Sequence, residues 1–166
     1  MIDSIRISLI SQQRIVMLRD IDGERQLPIW IGPCEAESIA VELQDTEVAR
    51  PLTHDLLKLA VNALGGKVSH IEVTELKDAV YYAKLYIDQN GEMKEIDCRP
   101  SDAIALAVRV KARIFISEEV MAQAAIQPEP DISEPEEGAE EAGGDAPVEL
   151  DAFKDFVDTL DFDEED

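Results

Sequence analysis

Short apolar-rich, strand-like stretches lie near the start of the chain at Ile5–Ile10, Arg14–Arg19 and Gln26–Ile31. Three strands are expected there, and Asp22-Gly23 supplies a hairpin turn signal between the second and third. The pattern then changes. After Gly32-Pro33 a helix is expected, because proline suits a first turn and Glu35 and Glu37 complement the helix dipole. Ala36, Ile39, Ala40 and Leu43 form its apolar stripe. Thr53 or Asp55 is expected to cap a second helix whose periodic residues, Leu56, Leu57, Leu59, Ala60 and Leu64, end at Gly65-Gly66. Strands return at Val68–Leu76, Val80–Asp88 and Met93–Cys98, with Asn90-Gly91 as a further hairpin turn. A third helix is expected from Pro100, a short strand at Ile114–Ser117 and a last helix at Glu118–Ala125.

Three strands followed by helices thus occur twice. Ile31–Ala40 lies over Ile96–Ala105 at an offset of sixty-five, each copy running from strand end through a turn and an acidic helix start to an Ile-Ala pair. The expectation is an α+β fold, a mainly antiparallel barrel-like sheet with helices, made of two related strand-and-helix halves. Short strands leave edges to cover, so a homo-oligomer, a dimer in the simplest case, is expected.

Charge divides the chain. It holds 37 acidic and 15 basic residues, a formal net charge of −22. Residues 127–166 carry 17 of the acidic residues and one basic, Lys154, leaving −6 on residues 1–126. The folded domain is therefore placed at 1–126. Residues 127–147, rich in proline, glycine and carboxylates, are expected to be disordered. Within the tail, 148–162 spaces Leu150, Phe153, Phe156, Val157 and Leu160 as a short amphipathic segment suited to a protein partner. The alternatives are a solubilising tail and an acidic cover for a local basic site.

The acidity excludes broad phosphate neutralisation as the mode of nucleic-acid binding. No apolar run approaches the roughly 18 residues a membrane helix needs, and Met1-Ile2-Asp3-Ser4 lacks a signal-peptide pattern. Cys34 and Cys98 are too few for a disulfide framework and too far apart for a structural zinc site; each reads as a packed or half-buried thiol. A cytoplasmic protein with no membrane partner is expected.

Chemistry concentrates in three segments. In Gly32–Glu37, Glu35 reads either as dipole complement or as a metal ligand or acid-base group. Arg50-Pro51-Leu52-Thr53-His54-Asp55 puts a guanidinium, a hydroxyl, an imidazole and a carboxylate ahead of a helix; His54 is a capped turn residue or a proton-transfer group. Asp97-Cys98-Arg99-Pro100-Ser101-Asp102 is the densest. There Arg99 and Ser101 at a helix start suit a phosphate, and Asp97 with Asp102 suit Mg²⁺ or Mn²⁺. The plain alternative is an Asp–Arg ion pair with a helix cap.

These segments carry a family resemblance. Leu27-Pro28-Ile29-Trp30-Ile31-Gly32 with Glu35-Ala36, Arg50–Leu57, and Ile96–Ala107 together resemble the bifunctional nuclease domain proteins of bacteria, archaea and plants, over about residues 1–125. The resemblance implies a compact α+β domain of two related halves and metal-assisted hydrolysis of DNA and RNA. On that reading Asp97, Asp102 and Glu35 hold the metal, Arg99 and Arg50 meet the phosphate, and His54 is the general acid or base. Two other functions remain open: a non-catalytic module for a phospho-ligand or protein partner, and an adaptor working through its acidic tail.

Overall fold

The computed structural model describes residues 1–7 and 13–127. The expected tail segment and the end of the first predicted strand lie outside the described residues. Seven strands and four helices are seen among those described: β1 (Ile2–Ile7), β2 (Arg14–Arg19), β3 (Gln26–Ile31), α1 (Pro33–Leu43), α2 (Thr53–Ala63), β4 (Gly66–Lys77), β5 (Val80–Gln89), β6 (Glu92–Cys98), α3 (Pro100–Val110), β7 (Arg113–Ile116) and α4 (Glu118–Ala124). The class is α+β. The strands make two open sheets, β1-β2-β3 and β6-β5-β4-β7, and do not close into one barrel. Each half ends its sheet at an edge strand, β3 or β6, which runs on into a helix. All pairings are antiparallel except β4 with β7, where Ile71 faces Ile114.

Both sheets feed one core. Val16 and Leu18 of β2, Leu27 and Ile29 of β3, Ile71 and Val73 of β4 and Leu85 of β5 pack with Ile39 of α1 and the Ala103–Ala107 run of α3. Helix α3 is buried on nearly every side, as expected of a helix apolar almost all round. It touches α1, α2, β4, β5 and β7 and so fixes where the other helices start relative to it.

Turn chemistry explains the register. Asn90 and Gly91 both take positive φ, 56° and 84°, as a two-residue hairpin turn requires. Asp78-Ala79 makes the same kind of turn between Lys77 and Val80, at φ 50° and 62°, with no glycine to announce it. Asp22-Gly23 instead sits in a longer loop, closed by Asp20 N–H donating to Arg25 O at 3.0 Å. Past α4, Ile126 and Gln26 exchange both backbone hydrogen bonds and cover the start of β3.

Two sequence expectations change. The helices of the halves begin at Pro33 and Pro100, so the structural offset is sixty-seven. It places Glu35 over Asp102, Ala36 over Ala103 and Ile39 over Leu106, and Gly32 over Arg99. The leucines of α2 also face outward: Leu56 is 63% exposed and Leu64, just past the helix, 75%, whereas the only buried residue of α2 is His54. Polar contacts explain this orientation. His54, Asp55 and Lys58 all bond to groups of α1 or α3, which turns that face inward.

Candidate functional site

The first turns of α1, α2 and α3 meet at a cleft of about 490 Å³. Its polar wall is Cys34, Glu35, Glu37, Ser38, Thr53, His54, Arg99 and Asp102, and Val41, Val48 and Leu52 add apolar surface. Each helix has an acidic third residue: Glu35, Asp55 and Asp102 respectively. A carboxylate there complements the positive end of the helix, whose first N–H groups have no partner within the helix. The N-caps are not side-chain caps. Leu52 precedes α2, and Asp55 Oδ2 accepts from its N–H at 2.8 Å, so neither Thr53 nor Asp55 is the cap residue itself.

Arg99 joins two of these carboxylates. Its Nη2 donates to Glu35 Oε1 at 2.7 Å, and its Nε and Nη2 donate to Asp102 Oδ2 and Oδ1 at 2.7 and 3.0 Å. The bidentate contact suits the planar guanidinium, while the side chain stays 67% exposed. Asp102 first, then Glu35, keeps the guanidinium firmly charged. Burial works against ionisation of Asp102, but hydrogen bonds from Arg99 and His54 overcome it and hold its carboxyl below the usual range. Glycine at position 32 makes this possible. The Glu35 carboxylate folds back into the space that a Cβ at Gly32 would fill, and Arg99, the equivalent residue of the other half, reaches across to it.

His54 bridges two helices. Its Nδ1 lies 2.9 Å from Ser38 Oγ on α1, and its Nε2 lies 3.3 Å from Asp102 Oδ1 on α3. Beneath this pair Arg109 donates to Asp55 Oδ1 and Ala105 O, both at 2.7 Å, and to Ser38 O at 3.0 Å. Every buried side-chain N or O among the described residues has a partner.

The structure therefore brings together Glu35, His54, Arg99 and Asp102 from three separate segments. Asp97 lies apart from the lining of the cleft, exposed on β6 opposite Lys84. Arg50 is exposed ahead of α2, and Ser101 is buried in the first turn of α3; neither lines the cleft. Cys34 is exposed at the cleft, contrary to its reading as a packed thiol. Cys98 is half-buried, and burial followed by Asp97 and Asp102 pushes its thiol up to about 11. Ser38 and Arg109 went unnoticed in the sequence, since a serine and an arginine within apolar helices give no local signal of shared partners. A larger cleft of about 600 Å³ near β1, β2 and β7 contains no histidine, and its Arg25 is paired with Asp20 and Glu118.

Hard divalent cations are often held by one or two carboxylates, with water and substrate phosphate completing the shell. Glu35 and Asp102 fit that pattern, provided Arg99 swings out. Among the described residues no three His, Cys, Asp or Glu side chains gather as a ready-made cage. No helix among the described residues is long and apolar enough to cross a membrane.

Comparison with known proteins finds related sequences over most of the chain. An uncharacterized protein of Mycobacterium tuberculosis is 39% identical over 157 residues, covering 94% of this chain and 90% of its own. Bifunctional nuclease 2 of Arabidopsis thaliana is 30% identical over 106 residues, 61% of this chain and 32% of the plant protein. Bifunctional nuclease 1 of Oryza sativa subsp. japonica is 27% identical over 109 residues, covering 64% of this chain and 33% of its own. The match thus spans about a third of each plant protein. The model of the bifunctional nuclease domain matches residues 16–129, which include Glu35, His54, Arg99 and Asp102, and the chain belongs to that family.

Proposed function

We propose that the chain hydrolyses phosphodiester bonds of DNA and RNA in the cleft between α1, α2 and α3, assisted by Mg²⁺ or Mn²⁺. The observation that carries this reading is the convergence of three helix N-termini on one cleft that also holds Arg99 and His54. Helix N-termini favour anions, and a guanidinium with freedom to move can follow charge developing on phosphoryl oxygens. Glu35 and Asp102 would hold the cation, which supplies Lewis acidity and an activated water when bound. Arg99 then turns from the carboxylates to the phosphate. His54, fixed by Ser38 and Asp102, faces the scissile group from the opposite helix. The family's nuclease relatives support the substrate class, and the body's net charge of −6 favours metal-dependent binding over a long basic track.

The partners proposed are nucleic acid as substrate and a second copy of the chain, the latter supported by the outward leucines of α2. The test of the reaction is cleavage of end-labelled single-stranded DNA and RNA with Mg²⁺ or Mn²⁺, by wild type, Arg99→Ala and His54→Ala. The expected loss is about 10²-fold or more for each variant. Equal rates in all three preparations would trace the activity to a contaminant and end the proposal.

A further inference from the structure

We propose that the larger cleft, beside β2, β7 and the end of α3, is a docking site for residues 148–162 of this chain. The cleft measures about 600 Å³ and shares no lining residue with the one around Arg99. Leu18, Ile114 and Met121 give it an apolar floor. Ile21, Leu43 and Phe115 also line it and are 79%, 51% and 46% exposed. Large apolar side chains left open around one cavity mark an interaction site.

Charge selects the occupant. Arg19, Arg25, Lys111 and Arg113 line the cleft against three carboxylates, Asp20, Asp22 and Glu118. Arg19 pairs with Asp3, and Arg25 with Asp20 and Glu118. Lys111 and Arg113 are exposed, with no ion-pair partner among the described residues. An apolar cleft with two open cations thus sits on a body whose net charge is −6. Residues 148–162 carry the complement, five carboxylates against Lys154 alone. Leu150, Phe153, Val157 and Leu160 fall at helical spacing, and Asp151, Asp155 and Asp158 make a parallel row. Such a segment lays its apolar stripe into a groove and leaves the row of acids to meet Lys111 and Arg113.

Connectivity favours the chain's own segment over a separate partner. Ile126 exchanges both backbone hydrogen bonds with Gln26, the neighbour of Arg25 in the cleft. Residues 128–147 then lead to the segment, and a coil of that length spans about 25 Å. A domain of this size has a radius of gyration of only about 14 Å. Docking on a linker that reaches the site proceeds at an effective concentration on the order of millimolar, so even a weak contact is populated.

The test is trypsin cleavage after Lys154, the only lysine or arginine beyond Arg113. The cut is followed by mass spectrometry in the full chain, with a synthetic 148–166 peptide giving the rate for a segment that is not docked. Cleavage of a protected site tracks the fraction that is open. The full chain should be cut at Lys154 about tenfold more slowly than the peptide. Lys111→Glu with Arg113→Glu should restore most of that factor, and Lys111→Gln with Arg113→Gln serves if the reversal unfolds the domain. Leu150→Ser with Leu160→Ser, which alters no residue of the cleft, should restore it as well. A full chain cut as fast as the peptide overturns the proposal. So does protection that survives in a folded Lys111/Arg113 variant, which would put the segment on another surface. Protection that fades on hundredfold dilution would seat it on a second copy and overturn the assignment to the chain's own cleft.

Discussion

Arg109 and Asp55 form an ion pair with 2.7 Å between Nε and Oδ1, and the Arg109 side chain is only 1% exposed. The same guanidinium bonds the Ser38 carbonyl on α1 and the Ala105 carbonyl on α3. One side chain therefore pins the three helices whose first turns surround the cleft. Arg99 repeats the arrangement at the surface, joining Glu35 and Asp102 with its own side chain 67% exposed. One arginine is locked inside the helix frame and the other lies open at the cleft.

Breaking the buried pair should be costly, and unequally so. Arg109→Met leaves Asp55 partly open to water but strands two carbonyls, whereas Asp55→Ala leaves a buried cation with two carbonyl acceptors and no counter-charge. Losses of about 3–5 kcal/mol are typical when one partner of a buried pair is removed. Urea unfolding should place Arg109→Met near the lower figure and Asp55→Ala near the upper. The reverse order would show that the carboxylate is the harder group to leave unpaired.

Acid should loosen this frame. Burial raises the Asp55 carboxyl, but the Leu52 N–H and Arg109 outweigh it and leave its folded value depressed; Asp102 is depressed too. A depressed carboxylate contributes stability that is fully present above its unfolded value, about 3.9, and is lost as pH falls through the folded one. The urea midpoint should therefore drop below about pH 4, and Asp55→Asn should flatten part of that slope. A drop of equal size in Asp55→Asn would exclude Asp55 as a contributor.

The Asp78-Ala79 turn offers a gain in stability. Ala79 holds φ 62°, a region in which a Cβ costs roughly 1–2 kcal/mol. Ala79→Gly removes that strain at some cost in unfolded-chain entropy, so a net gain of about 0.5–1 kcal/mol is expected. Thermal unfolding checks it; an unchanged or lowered midpoint means the turn is not strained.

Helix α2 should drive self-association. Leu56 and Leu59 are exposed large apolar side chains on it, and surfaces of this kind mark interaction sites when contiguous. Sedimentation should show the wild type as an oligomer that Leu56→Glu with Leu59→Glu converts to monomer. A monomeric wild type removes the dimer from the proposal.

Element types were largely legible along the chain. β2 and β3 match their predicted limits, and Pro33 and Pro100 start helices because each locks φ where its missing N–H costs nothing. The outward face of α2 was not legible. Its leucine period looks like a core stripe, yet the polar bonds of His54, Asp55 and Lys58 to neighbouring helices decide its rotation. Asp97 and Asp102 looked equivalent as carboxylates near Arg99, but β6 carries one into solvent while α3 carries the other into the cleft.

What the sequence by itself determined is the local order: apolar strand segments, helix starts and the acidic third residue of α1, α2 and α3, all set by neighbours a few positions away. It also carried the family, because three motifs keep their order and spacing. Only the tertiary structure decided which of those residues share a cleft. Ser38, His54 and Asp102 are strangers in sequence. They meet because α3, buried on nearly all sides, forces α1 and α2 to pack beside it with their first turns side by side, and no local period encodes that distance.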